Sequence, residues 1–201
     1  MNSIATKIQA VIFDLDGTIT KPVLDFDKIR AEIGITSGPV WETIVAMPYE
    51  QRKRAEQILL RYELQAAESA QLNNGAKEIF DILARQKIQT AILTRNCFRA
   101  WQIVRDKFRL NVPYAFTREN GPIKPNPLAV TQIIQAMNIS PINTLVVGDY
   151  LFDIQAGNLA GTQTALIVHN NNIPDYANLA DYVISNLFEI IEIIERGNCN
   201  E

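Results

Sequence analysis

Two carboxylates lie two residues apart in segment 13–18 (FDLDGT), directly after a short apolar run. Like charges this close raise each other's pKa, and in a buried place they need a cation or hydrogen bonds in order to coexist. An isolated Asp-x-Asp-Gly segment is equally typical of a turn that leaves a strand, with Gly17 supplying an unusual backbone dihedral. Taken alone, Asp14 and Asp16 therefore indicate either a cation site or a structural turn.

A second pair of carboxylates, Asp149 and Asp153, follows the apolar run 144–147. Asp153 comes one helical turn after Asp149, so both side chains can face the same cavity. Oxygen ligands without His or Cys favour Mg²⁺ over zinc. A helix-capping role for Asp149 is the structural alternative.

A hydroxyl and an ammonium group occupy comparable places in the chain. Thr94 ends another apolar run, where a hydroxyl and the amides of a strand-to-helix turn can hold a phosphate oxygen, or where the residue can cap a helix. Lys124 begins the segment KPNP, whose two prolines stiffen the backbone and can aim the ammonium group at a fixed point. A lone loop lysine is otherwise a solvated charge.

Strands and helices are predicted to alternate around these residues. Short β-rich apolar runs predict buried parallel strands at 8–13, 88–93, 144–147 and 164–168, with weaker ones at 114–117 and 182–184. Helical patterns lie between them, at 76–86, 98–108, 127–137, 152–160 and 187–196. This alternation predicts an α/β fold with a doubly wound, parallel, Rossmann-like sheet.

The position of the polar residues at strand ends gives the pattern its specificity. Asp14, Thr94 and Asp149 each follow a predicted parallel strand, and open α/β sheets bind ligands at that edge. We therefore expect these three side chains on one rim. His169, the only histidine, follows the fifth strand and could approach the same rim.

The segment 20–74 interrupts the alternation and holds no convincing strand. Fifteen of the 50 residues from 21 to 70 are charged, a higher density than in the whole chain. Its clearest helix spans 49–70, and shorter helices are expected at 26–33 and 40–46. We predict a small α-helical cap domain, residues 20–74, inserted after the first strand into a core domain made of residues 1–19 and 75–201.

The four motifs, in this order, resemble those of the haloacid dehalogenase-like (HAD) hydrolase superfamily. They are Asp-x-Asp-Gly-Thr, a hydrophobic residue with Thr, Lys-Pro-x-Pro and Gly-Asp-x-x-x-Asp. The helical insertion resembles the small cap of the phosphoglycolate phosphatase-like subfamily. The resemblance covers nearly the whole chain, and it is specific for the superfamily but not for the substrate.

This resemblance implies a Mg²⁺-dependent phosphatase that acts on a small phosphorylated metabolite. Asp14 would be the nucleophile that forms an aspartyl-phosphate, and Asp16 the general acid and then the general base. Mg²⁺ would be bound by the Asp14 carboxylate, the Asp16 backbone carbonyl and Asp149. Asp153 would be a further ligand or would orient the others.

The same resemblance assigns the binding of the phosphoryl group. Thr94, Arg95 and Lys124 would hold its oxygens, while Asn96 would either touch the substrate or cap the next helix. Phosphoryl transfer needs positioning and charge neutralisation more than elaborate covalent chemistry, so this set of residues is coherent.

Three other functions compete with phosphatase activity. A phosphomutase of the β-phosphoglucomutase-like type would use the same residues. Halide-displacing members of the superfamily lack an acidic residue at the position of Asp16, so its presence argues against a haloacid dehalogenase. A non-catalytic receiver-like signalling domain also uses acidic residues and a lysine on a parallel sheet, but it is shorter and lacks a cap.

Composition limits the partners of the chain. Its 201 residues are 47% hydrophobic and 20% charged, which is ordinary for a globular protein. A net charge of −3 argues against a nucleic acid polymer as partner. The absence of an apolar run of about 18 residues or of a signal peptide pattern argues against a membrane partner and favours the cytoplasm. We expect a monomer or a homodimer.

Overall fold

Six strands form one parallel sheet in the computed structural model, which describes residues 7–169 and 172–198. The strands are β1 (Ala10–Phe13), β2 (Gln89–Leu93), β3 (Tyr114–Phe116), β4 (Thr144–Gly148), β5 (Gln163–Ile167) and β6 (Tyr182–Ile184). Their order across the sheet is β3-β2-β1-β4-β5-β6, and every neighbouring pair is parallel. The predicted α/β fold is confirmed, with β1 and β4 side by side at the centre.

Helices cover both faces of the sheet. They are α4 (Ala76–Arg85), α5 (Phe98–Phe108), α6 (Pro127–Met137), α7 (Leu151–Ala160) and α8 (Glu189–Asn198), numbered after three helices of the insertion. Residues of α4, α5 and α8 pack in one hydrophobic cluster, and residues of α6 and α7 pack in another. Among the described residues, no helix is long and apolar enough to cross a membrane.

Helix α8 begins two residues later than its apolar pattern predicts. The Glu189 carboxylate accepts hydrogen bonds from the backbone N–H groups of Ser185 and Asn186, at 2.9 and 3.2 Å. The Asn186 side-chain oxygen in turn accepts from the N–H of Phe188. These bonds stabilise a turn before the helix, and competition of this kind is usual for Ser and Asn.

Three helices form the insertion: α1 (Phe26–Ile33), α2 (Val40–Val45) and α3 (Tyr49–Ser69). They share a small hydrophobic core of their own, which includes Ile29, Ile44, Ala55 and Leu59. Near its end, α3 contributes Ala67 to the core of the sheet instead. The insertion therefore has a core of its own, and its longest helix also packs on the core of the sheet, where the partly buried Leu60 and Leu64 join Ala67.

The two chain crossings into the insertion lie side by side. Lys21 donates its backbone N–H to the Gln71 carbonyl at 2.8 Å, and Asn73 donates its own to the Ile19 carbonyl at 2.9 Å. The Asn73 side-chain amide lies within 2.9–3.2 Å of the carbonyls of Gly17, Thr18 and Thr20. One side chain therefore satisfies backbone acceptors of the turn that follows Asp16.

Replacing this amide should weaken the fold. We expect Asn73→Ala to lower the free energy of unfolding by about 1–3 kcal/mol, because partly buried carbonyls lose their donor. Urea denaturation followed by circular dichroism measures the change. The control is Asn111→Ala at an exposed asparagine, which should stay within about 0.5 kcal/mol of the wild type. Equal stability of the two variants would contradict this role of Asn73.

Candidate active site

The carboxyl ends of the three adjacent strands β2, β1 and β4 carry the polar residues of the site. Asp14 directly follows β1 and donates its backbone N–H to the Val147 carbonyl of β4 at 2.8 Å. Asp149 directly follows β4, and Thr94 directly follows β2. The switch in strand order beside β1 leaves a crevice at this edge, which is where open α/β sheets bind ligands.

A buried lysine lies at the centre of the site. Lys124 is 2% exposed, and its Nζ contacts one oxygen of Asp14 and one of Asp153, each at 2.5 Å. Burial alone would lower the pKa of Lys124, but the charges of Asp14 and Asp153 outweigh it and the net shift is upward. Lys124 is therefore a permanent positive charge among the carboxylates.

The acidic residues are close enough to share a cation. Asp14, Asp149 and Asp153 each present an oxygen within 4.8 Å of the other two. Burial is the first cause of a raised pKa at Asp14, with Asp153 and Asp149 adding to it, while burial and then Asp153 raise the pKa of Asp149 to about 6. Burial therefore accounts for most of both shifts, the neighbouring carboxylates add to them, and the charge of Lys124 opposes them. A hard divalent cation fits the oxygen donors and the excess charge.

Two glycines leave room for the acidic side chains. A Cβ atom on Gly17, whose φ is +93°, would fall 2.1 Å from Oδ2 of Asp149. A Cβ atom on Gly148 would fall 2.1 Å from Cγ of Asp153. The absence of side chains at these positions therefore makes the carboxylate cluster possible.

Thr94 and Asn96 organise the turn after β2. The buried Thr94 hydroxyl oxygen accepts the backbone N–H of Asn96 at 3.0 Å. The N-cap of α5 is Cys97, so Asn96 does not occupy the capping position. Its side-chain amide instead donates to Oδ2 of Asp16 at 3.0 Å. Burial raises the pKa of Asp16, and this hydrogen bond opposes that shift.

Arg95 connects the sheet and its flanking helices (the sheet domain) with the three-helix insertion (the cap). Its Nη2 atom contacts both carboxylate oxygens of Glu42 in α2, at 3.0 and 2.7 Å. The guanidinium group also donates to the Lys124 carbonyl and lies 4.9 Å from the ring centre of Phe152. The expected phosphate-binding residue thus already bridges the KPNP loop and the cap in this structure.

Two residues that the sequence analysis did not place in the site form a buried ion pair across the same boundary. Glu63 of α3 and Arg118 of the sheet domain have side chains only 4% and 8% exposed, and Arg118 also lies 4.7 Å from the ring centre of Trp41. Burial raises the pKa of Glu63, against the opposing effect of Arg118. The detectable signal was the position of Glu63 on the apolar face of α3, four residues after Leu59.

His169 does reach the acidic edge. Its Nε2 atom lies 2.6 Å from the Gly17 carbonyl oxygen, which can only accept a hydrogen bond, so Nε2 carries the proton. This contact fixes the ring against the turn that follows Asp16.

A cleft of about 600 Å³ lies between the sheet domain and the insertion. Its floor contains Asp14, Asp16 and Lys124, and Glu63 lies along its side. Its cap wall is mainly apolar and includes Val23, Leu24, Phe26, Val40 and Trp41. Carboxylates from the strand ends and apolar side chains of the cap thus line one cleft of the size typical for small-molecule ligands.

Comparisons with known proteins agree on one family. The family model described as haloacid dehalogenase-like hydrolase matches residues 8–161. A haloacid dehalogenase-like hydrolase domain-containing protein of Arabidopsis thaliana is 30% identical over 208 residues, which cover 94% of this chain and 85% of that protein. An N-acetylmuramic acid 6-phosphate phosphatase of Pseudomonas putida is 24% identical, covering 96% of this chain and 99% of the relative.

Solved structures share the fold. A predicted phosphoglycolate phosphatase of Haemophilus somnus matches with a TM-score of 0.71 at 18% identity, covering 94% of this chain and 98% of the other. At this identity the likeness shows the architecture alone.

The close contact at Gly17 leads to a test of the carboxylate cluster. We expect Gly17→Ala to weaken Mg²⁺ binding by about tenfold or more, because the added methyl group must displace Asp149. Isothermal titration with Mg²⁺ measures the affinity. The matched control is Gly34→Ala, since Gly34 also has a positive φ (+86°) but nothing within 4 Å of an added Cβ. Both variants should lose stability, and equal Mg²⁺ affinity in the two would contradict the proposed cluster.

Proposed function

Because the chain belongs to the haloacid dehalogenase-like hydrolases, we propose that it is a Mg²⁺-dependent phosphatase that hydrolyses a small phosphate monoester through an aspartyl-phosphate. The observation that carries the proposal is the buried cluster of Asp14, Asp149 and Asp153 around Lys124. The phosphatase named among the relatives supports the same reaction class.

Asp14, Asp149 and Asp153 would hold Mg²⁺ through carboxylate oxygens, and the Asp16 backbone carbonyl would be a further ligand. The short distances within the cluster favour Asp153 as a direct ligand of the cation rather than as a residue that only orients the other ligands. When bound, the cation supplies charge neutralisation for the phosphoryl group and lowers the pKa of the carboxylates.

Asp14 acts as the nucleophile in this proposal. An oxygen of its carboxylate bonds to phosphorus while the ester P–O bond breaks, which splits one difficult displacement into two easier ones. The charge of Lys124 offsets the repulsion between this carboxylate and a phosphate dianion. The Thr94 hydroxyl and Lys124 bind the phosphoryl oxygens at the strand ends.

Asp16 transfers the protons. It donates one to the departing oxygen of the substrate and then takes one from the water that hydrolyses the aspartyl-phosphate. Burial raises the pKa of Asp16, which favours the protonated form needed in the first step. Asp16 lines the floor of the cleft beside Asp14, where both can reach one phosphate ester.

The cap encloses the leaving group. The volume of the cleft, about 600 Å³, lies within the range of about 300–1,000 Å³ that is typical of small-molecule sites. Its apolar cap wall excludes water from the reacting centre.

The location in the cytoplasm and the monomeric or homodimeric state stay predictions from the sequence.

Removing the nucleophile tests the mechanism. We expect Asp14→Asn to lower the turnover of 4-nitrophenyl phosphate with Mg²⁺ by about 10³-fold or more, because the amide is a poor nucleophile. Steady-state phosphate release measures the loss. Asp81→Asn, an equal change on the exposed side of α4, is the control and should keep wild-type activity. An active Asp14→Asn variant would refute the assignment.

The phosphomutase alternative predicts a different product. With a sugar phosphate and a catalytic amount of the bisphosphate, a mutase would isomerise the substrate faster than it releases phosphate. Release of many phosphates per chain without isomerisation favours the phosphatase and also eliminates a receiver-like domain.

A further inference from the structure

We infer that Asn96 is a positioning residue that aims Asp16 at the leaving oxygen and determines which carboxyl oxygen of Asp16 delivers the proton. The inference rests on the proposed function, and it gives a role to a residue that lies outside the metal cluster. It follows from the hydrogen bonds of one buried amide.

The orientation of the Asn96 amide is unambiguous. Its Oδ1 atom lies 2.8 Å from the backbone nitrogen of Cys97, whose N–H can only donate. The other end of the amide must therefore be Nδ2, and this end lies 3.0 Å from Oδ2 of Asp16. A flipped amide would place two donors against each other at Cys97.

This orientation differentiates the two oxygens of Asp16. An NH₂ group can only donate, so Oδ2 of Asp16 must accept and cannot present a hydrogen atom to Asn96. The carbonyl oxygen of a protonated carboxyl group is its better acceptor, so the bond from Asn96 favours Oδ1 as the oxygen that carries the proton. The ester bond then breaks with its electron pair moving to the leaving oxygen, the proton moves from Oδ1 to that oxygen, and Asp16 is left as a carboxylate.

Asn96 is held firmly enough to do this. It is 5% exposed, and its backbone N–H donates to the Thr94 hydroxyl. Its carbonyl accepts the backbone N–H of Arg118 at 3.3 Å, and Arg118 forms the buried ion pair with Glu63 of the cap. The hydrogen bonds that hold Asn96 are thus connected, through Arg118, to the contact between the cap and the sheet domain.

Two substrates whose leaving groups differ in basicity can distinguish the loss of Asp16 positioning from general damage to the protein. Phenoxide needs a proton as it departs, whereas 4-nitrophenoxide is a far weaker base and departs with little help. The two phosphate esters otherwise share a ring and a phosphoryl group. Damage to the fold or to phosphate binding would affect both esters alike, but a misdirected acid affects phenyl phosphate selectively.

The experiment compares kcat/KM for the two esters, with Mg²⁺ present, in Asn96→Ala. We expect phenyl phosphate to lose about tenfold more than 4-nitrophenyl phosphate, a part of the 10²–10⁴-fold that general acid catalysis supplies. Asn158→Ala is the matched control, because that amide also makes two hydrogen bonds, to Leu179 and Thr164, away from the site. Its ratio between the two esters should equal that of the wild type.

Asn96→Asp provides a second route if Asn96→Ala does not fold. It keeps the oxygen that accepts from Cys97 but replaces the donor toward Asp16 with an acceptor, so the same selective loss is expected. In an Asp16→Ala background, Asn96→Ala should cause no additional selective loss, since the acid that it positions is absent.

Each possible result either supports or overturns the proposed role of Asn96. Equal losses on both esters, or no loss, would overturn the role of Asn96 while leaving the phosphatase proposal intact. A wild-type protein that hydrolyses neither ester with Mg²⁺ would overturn the proposed function and this inference with it.

Discussion

The site depends on one buried ammonium group held between two carboxylates. Lys124 is almost fully enclosed and contacts both Asp14, directly after β1, and Asp153, in the first turn of α7. Each carboxylate would be costly to bury alone, and the lysine would be costly without them, so the three groups stabilise one arrangement. The arrangement still carries excess negative charge, because Asp149 and Asp16 lie in the same cleft. The Mg²⁺ ion proposed for this site would neutralise that excess charge.

Backbone geometry makes such a concentration of charge possible. The turns after β1 and β4 approach so closely that a methyl group on Gly17 would overlap Asp149, and within the second turn a methyl group on Gly148 would overlap Asp153. The Asn73 amide binds the carbonyls of the first turn from outside, and the His169 ring binds the Gly17 carbonyl. The first acidic turn is therefore held through its backbone carbonyls rather than through its carboxylates.

The residues at the strand ends could be predicted from the sequence. The contacts between the cap and the sheet domain could not. Asp14, Thr94 and Asp149 follow apolar runs, and parallel strands bring such positions to one edge whatever the details of packing. Glu63 and Arg118 are 55 residues apart and lie on different units, so their pairing depends on how the cap sits on the sheet. The same holds for Arg95, whose contacts with Glu42 and Phe152 no local pattern encodes. Asparagine is a preferred N-cap residue, so the sequence made Asn96 a candidate cap of α5. Cys97 occupies that position instead, and the Asn96 amide contacts Asp16.

The cap is held to the sheet domain in two physically different ways. The second half of α3 is anchored by apolar contacts, since Ala67 lies in the core of the sheet and the partly buried Leu60 and Leu64 pack against that core. Over the cleft, the ion pairs Glu63–Arg118 and Glu42–Arg95 make the connection, while the apolar side chains of the cap pack largely on each other. Opening a cleft closed by ion pairs returns both partners to water together, so it avoids the large cost of leaving one charge buried without the other. A cap that is held over the cleft by separable charges suits an enzyme that must exclude water during reaction and release phosphate afterwards.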